Sequence, residues 1–253
     1  MSGTPNIGNL DLTDFTVGAM LRAGIAVRQI VRGVDSIEEA ASLIVQYFYD
    51  NCIDPATGQR SCALVRFYKT HRYGALEPGL QRFAADQLGD VVPGDEMRCL
   101  VLLASAGDEP GWNSRQASTG HRAIPLPSAD IVRRAPMIAR LIEELGLDIE
   151  SVVSGKSAAA RSGAPRNYEV FHVEHARGSP HIPAQEDFVA RYGVESVVGF
   201  GGLVRSGELY TVILFSRATI PAASAARFRT IALDVRSALY AFGEERTWKS
   251  DGP

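Results

Sequence analysis

The chain has 253 residues, with 26 basic and 29 acidic side chains, a formal charge of −3, and 45% apolar residues. These are ordinary globular values, long enough for one large or two small domains, and they exclude a disordered, collagenous or disulfide-stapled chain. The slight negative charge gives no electrostatic reason to expect nucleic acid or an anionic membrane surface as a partner.

The N-terminus, MSGTPNIGNLDL, lacks the basic start and apolar core of a signal peptide, and no stretch approaches the ~20 apolar residues that span a bilayer. Three cysteines, Cys52, Cys62 and Cys99, form no C-x-x-C pair. An odd, sparse count fits free thiols in a reducing compartment. The expectation is a soluble, cytoplasmic protein.

The first element reads as a helix with two apolar stripes. One is Leu12, Phe15, Ala19, Ala23, Ala26 and Ile30, and the other is Val17, Met20, Gly24, Val27 and Val31. A helix apolar on two sides must be covered on two sides, either within its own domain or by the core and a partner subunit. A second helix starts at Ser36, where Ser36 and Glu39 make the S-x-x-E capping pattern, and runs to Asp50. Asp50–Arg60 is turn chemistry. Cys62–Lys69, CALVRFYK, reads as a strand. Pro78–Leu88 reads as a helix opened by a proline, and Leu100–Ala104 as a second buried strand.

Gly107–Pro127 is long, polar and without periodicity, which points to a functional loop. It carries Trp112, Asn113, Ser114, Arg115, Gln116, Ser118, His121 and Arg122. An aromatic platform, fixed cations and neutral donors together are what orients a small ligand in an apolar pocket. The candidate ligand-binding residues are Trp112, Asn113, Arg115, Gln116 and His121 from this loop, with Phe67, Phe171 and Phe200 from the strands. Ser128–Leu145 reads as a helix that Pro136 should kink or split. Ser154–Pro165 is small and polar, a surface connection. Tyr168–Val173 is a candidate strand. Ser196–Val204 and Leu209–Ser216 form a hairpin around Ser206-Gly207. A last helix starts near Pro221, with Ala225, Phe228, Ala232, Val235, Leu239 and Phe242 in a heptad seam.

Motifs for chemistry are tested and mostly set aside. Gly155-Lys156-Ser157 ends like a P-loop, but Glu150 stands where its first glycine belongs, and a carboxylate repels phosphate. Gly199, Gly201 and Gly202 start like a dinucleotide fingerprint, but Val204 replaces the third glycine and no helix follows. Glycines here suit close backbone approach instead. His172, Glu174, His175 and His181 cluster without the H-E-x-x-H spacing, so no metal ligand set is assigned. Arg60 and Arg98 neighbour cysteines in sequence only, so no catalytic thiol is assigned.

The segment Tyr192–Gly243 resembles the C-terminal half of a GAF domain. It has the G-x-x-S lead-in to a strand at Gly193–Ser196, the turn glycine at Gly207, the strand Thr211–Phe215 and a closing helix. The helix Ser36–Asp50 followed by the strand Cys62–Lys69 is similar to that family's opening. The resemblance implies an α/β (α+β) fold: one GAF-like domain with a central antiparallel sheet, helices on both faces, and packed N- and C-terminal helices. The implied divisions are an N-terminal helix over 1–33 with a dimerisation role, a domain over 34–245 with a long insertion at 107–165, and a tail over 246–253. The implied function is a sensory or regulatory domain that binds a small ligand, of unknown identity, and signals through dimer helices to a protein partner. None of Cys52, Cys62 or Cys99 is followed by His, as covalent bilin attachment in that family requires. Two alternatives stand beside it: a thiol-dependent GAF-fold enzyme such as a free methionine sulfoxide reductase, and a ligand-free interaction module.

Overall fold

The computed structural model describes residues 8–118, 120–155, 170–242 and 246–248. Much of the predicted Ser154–Pro165 connection, and the first residues of the predicted Tyr168–Val173 strand, lie outside the described residues.

Six strands form one antiparallel sheet: β1 (Cys62–Arg72), β2 (Arg98–Gly107), β3 (Ala123–Leu126), β4 (Phe171–Val173), β5 (Ser196–Leu203) and β6 (Leu209–Ser216). Their order is β3-β2-β1-β6-β5-β4. The central strands β1 and β6 are buried from end to end, except for Arg72. A strand covered on both faces must be apolar at nearly every position, not only at alternate ones, and CALVRFY and LYTVILFS are.

On one face lie α1 (Val17–Ile30), α2 (Ile37–Asn51), α7 (Ala222–Ala226) and α8 (Phe228–Leu239). They share one core with Val65, Phe67, Phe200, Val212 and Leu214 of the sheet. Phe228 stacks on Phe15 at 4.7 Å between ring centres and lies 5.2 Å from Phe200. The Tyr210 hydroxyl donates to the Ala232 carbonyl and ties β6 to α8. On the other face lie α4 (Ala129–Arg133), α5 (Pro136–Glu144), α6 (Ile149–Ser154) and a π-helical turn, Gln185–Ala190. They pack on Leu64, Tyr68, Leu102, Phe171, Val197 and Ile213. A smaller cluster joins α3 (Pro78–Ala85) to the β2–β3 edge. The sheet with helices on both faces is the α+β architecture expected from the sequence.

Several local expectations hold, and others shift. Ser36 accepts from the Glu39 amide at 3.1 Å and caps α2, while the Glu39 carboxylate accepts from Asp35, one residue before the cap. The helix expected over Ser128–Leu145 is two helices, because Pro136 has no N–H to continue α4 and starts α5 instead. The last helix is likewise broken, at Arg227. The polar Gly107–Pro127 segment contains more order than a loop: β2 runs to Gly107, a 3-10 turn spans Pro110–Trp112, and β3 follows.

The two stripes on the first helix are both absorbed inside the chain. Ala23, Ala26 and Val27 are fully buried and Val31 nearly so, because α1 packs against both α2 and α8. A Cβ at Gly24 would overlap the Asp234 carboxylate of α8, and Asp234 ion-pairs with Arg28 of α1. The heptad seam of α8 is buried the same way: Ala232 and Val235 belong to the same core. Only Val17 of the second stripe is open, at 55% exposure, and it continues into Leu21 and Ile25 on the outer side.

Gly201 bears out the close-approach reading. A Cβ there would overlap the Tyr210 carbonyl oxygen and come within 2.9 Å of the Thr211 Cα across the β5–β6 pair. Backbone cannot swing aside as a side chain can. Gly201→Ala is expected to lower unfolding stability by about 1–3 kcal/mol, read from the denaturation midpoint. A variant as stable as the wild type would contradict this packing.

Candidate functional site

Leu64, Arg66 and Tyr68 follow one another at every second position of β1, so all three face the α4–α6 side of the sheet. Ile213 and Phe215 of β6 and Leu100 of β2 continue that surface. Above it the chain leaves a cavity of about 540 Å³. The volume lies within the range of small-molecule pockets.

The walls come from segments far apart in sequence. The break between α4 and α5 supplies Ala135, Pro136, Met137 and Ile138, with Leu141 one turn further on. The segment Pro180–Ala184 supplies a second wall. Gln185 holds that segment in place. Its side-chain amide donates to the carbonyls of Ala176, Ser179 and Ile182, and its oxygen accepts from the Gly178 amide. Trp112 and Phe188 form an aromatic wall, 5.6 Å apart, and Phe188 also meets Phe215 edge-on at 5.1 Å. Gln87 and His121 complete the rim.

Among the described residues of this lining Arg66 is the one permanent charge, and none is a carboxylate. It is only 9% exposed. One terminal nitrogen donates to the Tyr68 hydroxyl at 3.1 Å and the other to the Ser118 hydroxyl at 3.4 Å. Among the described residues its buried Nε–H has no hydrogen-bond partner, and neither does the buried His181 Nδ1. Burial raises the Tyr68 pKa, against the opposing pull of the Arg66 charge. His121, in a left-handed conformation at φ 58°, is exposed by area yet has its ring crowded by protein. That desolvation, and then the Arg66 charge, lowers its pKa and favours the neutral imidazole.

Two of the eight sequence candidates, Trp112 and His121, line the cavity. Phe67 and Phe200 point the other way, into the helix-packed core, where Phe67 stacks on Tyr210 at 6.0 Å. The cause is the two-residue strand period, which sends neighbours to opposite faces. Phe171 is core on the cavity side but packs beneath Arg140 and outside the lining. Asn113 shapes its own turn, accepting from the Gly107 amide and donating to the Glu109 carbonyl. Gln116 is exposed. Arg115 pairs with Glu38 at 2.6 Å and Glu77 at 2.9 Å and lies over Trp248, so it fastens the loop to α2 rather than facing the cavity. The residues missed from sequence are Arg66, Tyr68 and His181. For Arg66 a signal existed, since a lone charge stood inside the apolar run CALVRFY.

The three thiols lie elsewhere. Cys52 and Cys62 belong to the helix-side core, and Cys99 to the cluster under α3. Cys52 hydrogen-bonds with Cys62, and that bond together with burial raises its pKa well above the usual value. Burial drives Cys99 up to about 12. A reactive thiol needs the opposite shift. Among the described residues no three His, Cys, Asp or Glu side chains gather as a metal site, and His172 instead meets the Ile220 carbonyl at 2.8 Å. No described helix is long and apolar enough to cross a membrane.

The described residues form a six-stranded antiparallel sheet, ordered β3-β2-β1-β6-β5-β4, between two helix layers. Similar solved structures include the GAF domain of a phosphoenolpyruvate-protein phosphotransferase from Coxiella burnetii. It is 12% identical, with 88% of this chain and 93% of that one covered and a TM-score of 0.46. Free methionine-R-sulfoxide reductase from Neisseria meningitidis aligns at 10% identity over 88% and 89% of the two chains, with a TM-score of 0.45. A phytochrome photosensory core module from Stigmatella aurantiaca aligns at 12% identity over 88% of this chain and 36% of its own, with a TM-score of 0.42. Such identities and scores describe a loose likeness of fold and say nothing about chemistry. No family model and no curated protein matches the chain.

If Arg115 fastens the loop, Arg115→Ala takes one charge-assisted hydrogen bond from the buried Glu38 and should cost about 2 kcal/mol of stability. It should leave any ligand affinity of the cavity nearly unchanged. Lost affinity with unchanged stability, measured by thermal unfolding and dye binding together, would place Arg115 in the site after all.

Proposed function

We propose that this chain is a GAF-like sensory or regulatory domain that holds a small, mainly apolar ligand between the sheet and the α4–α6 layer. The observation that supports it most is the 540 Å³ cavity, walled by apolar and aromatic side chains around a few polar groups. A ligand-free interaction module has no use for a space of that size, which neighbouring side chains would normally fill. Cys52 and Cys99, buried and with raised pKa, give no support to a thiol-dependent reaction.

The neutral dye N-phenyl-1-naphthylamine is a suitable probe. It should bind saturably, one dye to one chain, with enhanced emission. Ile138→Trp, which fills the rim, should weaken binding about tenfold while the thermal midpoint moves little. An absence of saturable binding would overturn the reading.

We further propose that output passes through a homodimer built on the outer side of α1, where Val17, Leu21 and Ile25 are 46–56% exposed and stand four residues apart. The seams around Ala23 and Val235 are already used within the chain. Leu21→Glu should convert a dimer to a monomer in multi-angle light scattering. A wild type that is monomeric at all concentrations removes this part of the proposal.

A further inference from the structure

A guanidinium has five N–H donors and a charge that costs several kcal/mol to bury unpaired. Arg66 is nine-tenths buried, on the middle strand of the sheet, at the floor of an apolar cavity. Its hydrogen-bond partners among the described residues are two neutral hydroxyls, and its Nε–H has none there. Three other buried or half-buried arginines meet acids, Arg115 with Glu38, Arg140 with Glu144 and Arg98 facing Glu208, while Arg122 lies over the Phe83 ring. At Arg66 no carboxylate lies within salt-bridge distance among the described residues, and none lines the cavity. The missing counter-charge must therefore come from what occupies the space.

The sign and shape of that occupant follow. One cation matches one negative charge. The planar guanidinium fork fits the two oxygens of a carboxylate. A doubly charged phosphate would find a single cation, with His121 biased toward its neutral form. The Tyr68 hydroxyl, beside the guanidinium, offers a further donor. The remaining walls, Trp112, Ile138, Leu141, Phe188 and Ile213, suit an apolar body.

We propose that Arg66 anchors the carboxylate of a small apolar monoacid held in this cavity, an inference that rests on the cavity being a ligand site. The Nε–H that lacks a partner takes one carboxylate oxygen, and the apolar body lies along the Trp112–Phe188 wall.

The test displaces bound N-phenyl-1-naphthylamine from the full chain at pH 7.5 with three matched competitors: octanoate, octanamide and octyl phosphate. Octanoate should compete at least about tenfold better than octanamide, the usual worth of a charge-assisted hydrogen bond. It should also outcompete octyl phosphate. In Arg66→Met the dye should still bind, and the advantage of acid over amide should vanish. Arg66→Lys, which keeps the charge but loses the fork, should keep part of it. If Arg66→Met does not fold, the wild-type comparison and Arg66→Lys decide the matter. Equal competition by acid and amide, failure of the acid to compete, preference for octyl phosphate, or an acid advantage that survives Arg66→Met each overturns the assignment while leaving dye binding, and so the ligand site, intact. Failure of the dye itself to bind takes down the ligand-site reading first.

Discussion

The molecule depends on β1 being buried on both faces. Val65 and Phe67 enter the core shared with α1, α2 and α8, while Leu64, Arg66 and Tyr68 form the floor beneath α4–α6. The neighbouring β6 repeats the division, with Val212 and Leu214 against Ile213 and Phe215. The two-residue period fixes which residues serve stability and which serve the cavity. A one-residue slip in β1 would exchange the two sets and put a guanidinium into the helix-packed core.

Local chemistry made much of the fold legible. Ser36 with Glu39, the proline-started α3, the Ser206-Gly207 hairpin and the dense apolar strands are short-range signals, and their elements formed within a few residues of where the pattern put them. Pro136 was legible as a break. What local pattern could not say is which side of the sheet an aromatic faces. Phe67, Phe200 and Phe171 look alike in sequence, yet two are helix-side core and the third is core beneath Arg140. The loop residues divided for a similar reason. Trp112 and His121 reach the cavity because the 3-10 turn and β3 aim them there, whereas Arg115 is drawn off by Glu38 and Glu77, which are distant in sequence. The two stripes of α1 admitted cover within the domain or by a partner subunit, and they describe a helix wedged between two others, with Gly24 leaving room for Asp234.

Arg66 is the instructive omission. A buried charge in a strand has a large electrostatic cost, and a fold keeps one only where something offsets it. Its neighbours Tyr68 and Ser118 offset part of it with neutral dipoles. Among the described residues the rest of the cavity lining adds no carboxylate.

The two helix layers differ in the lengths of their helices. The layer behind the sheet is built mainly on helices of 14, 15 and 12 residues, with the five-residue α7 beside them, and aromatic stacking joins Phe15 to Phe228. The layer over the cavity is made of pieces of 5, 9 and 6 residues, the first two interrupted at Pro136. Helices that short have almost no stability of their own and persist through what they pack on. One side of the sheet is therefore backed by the longer helices, and the cavity lies under the layer of shorter ones, which lean most on what they pack against.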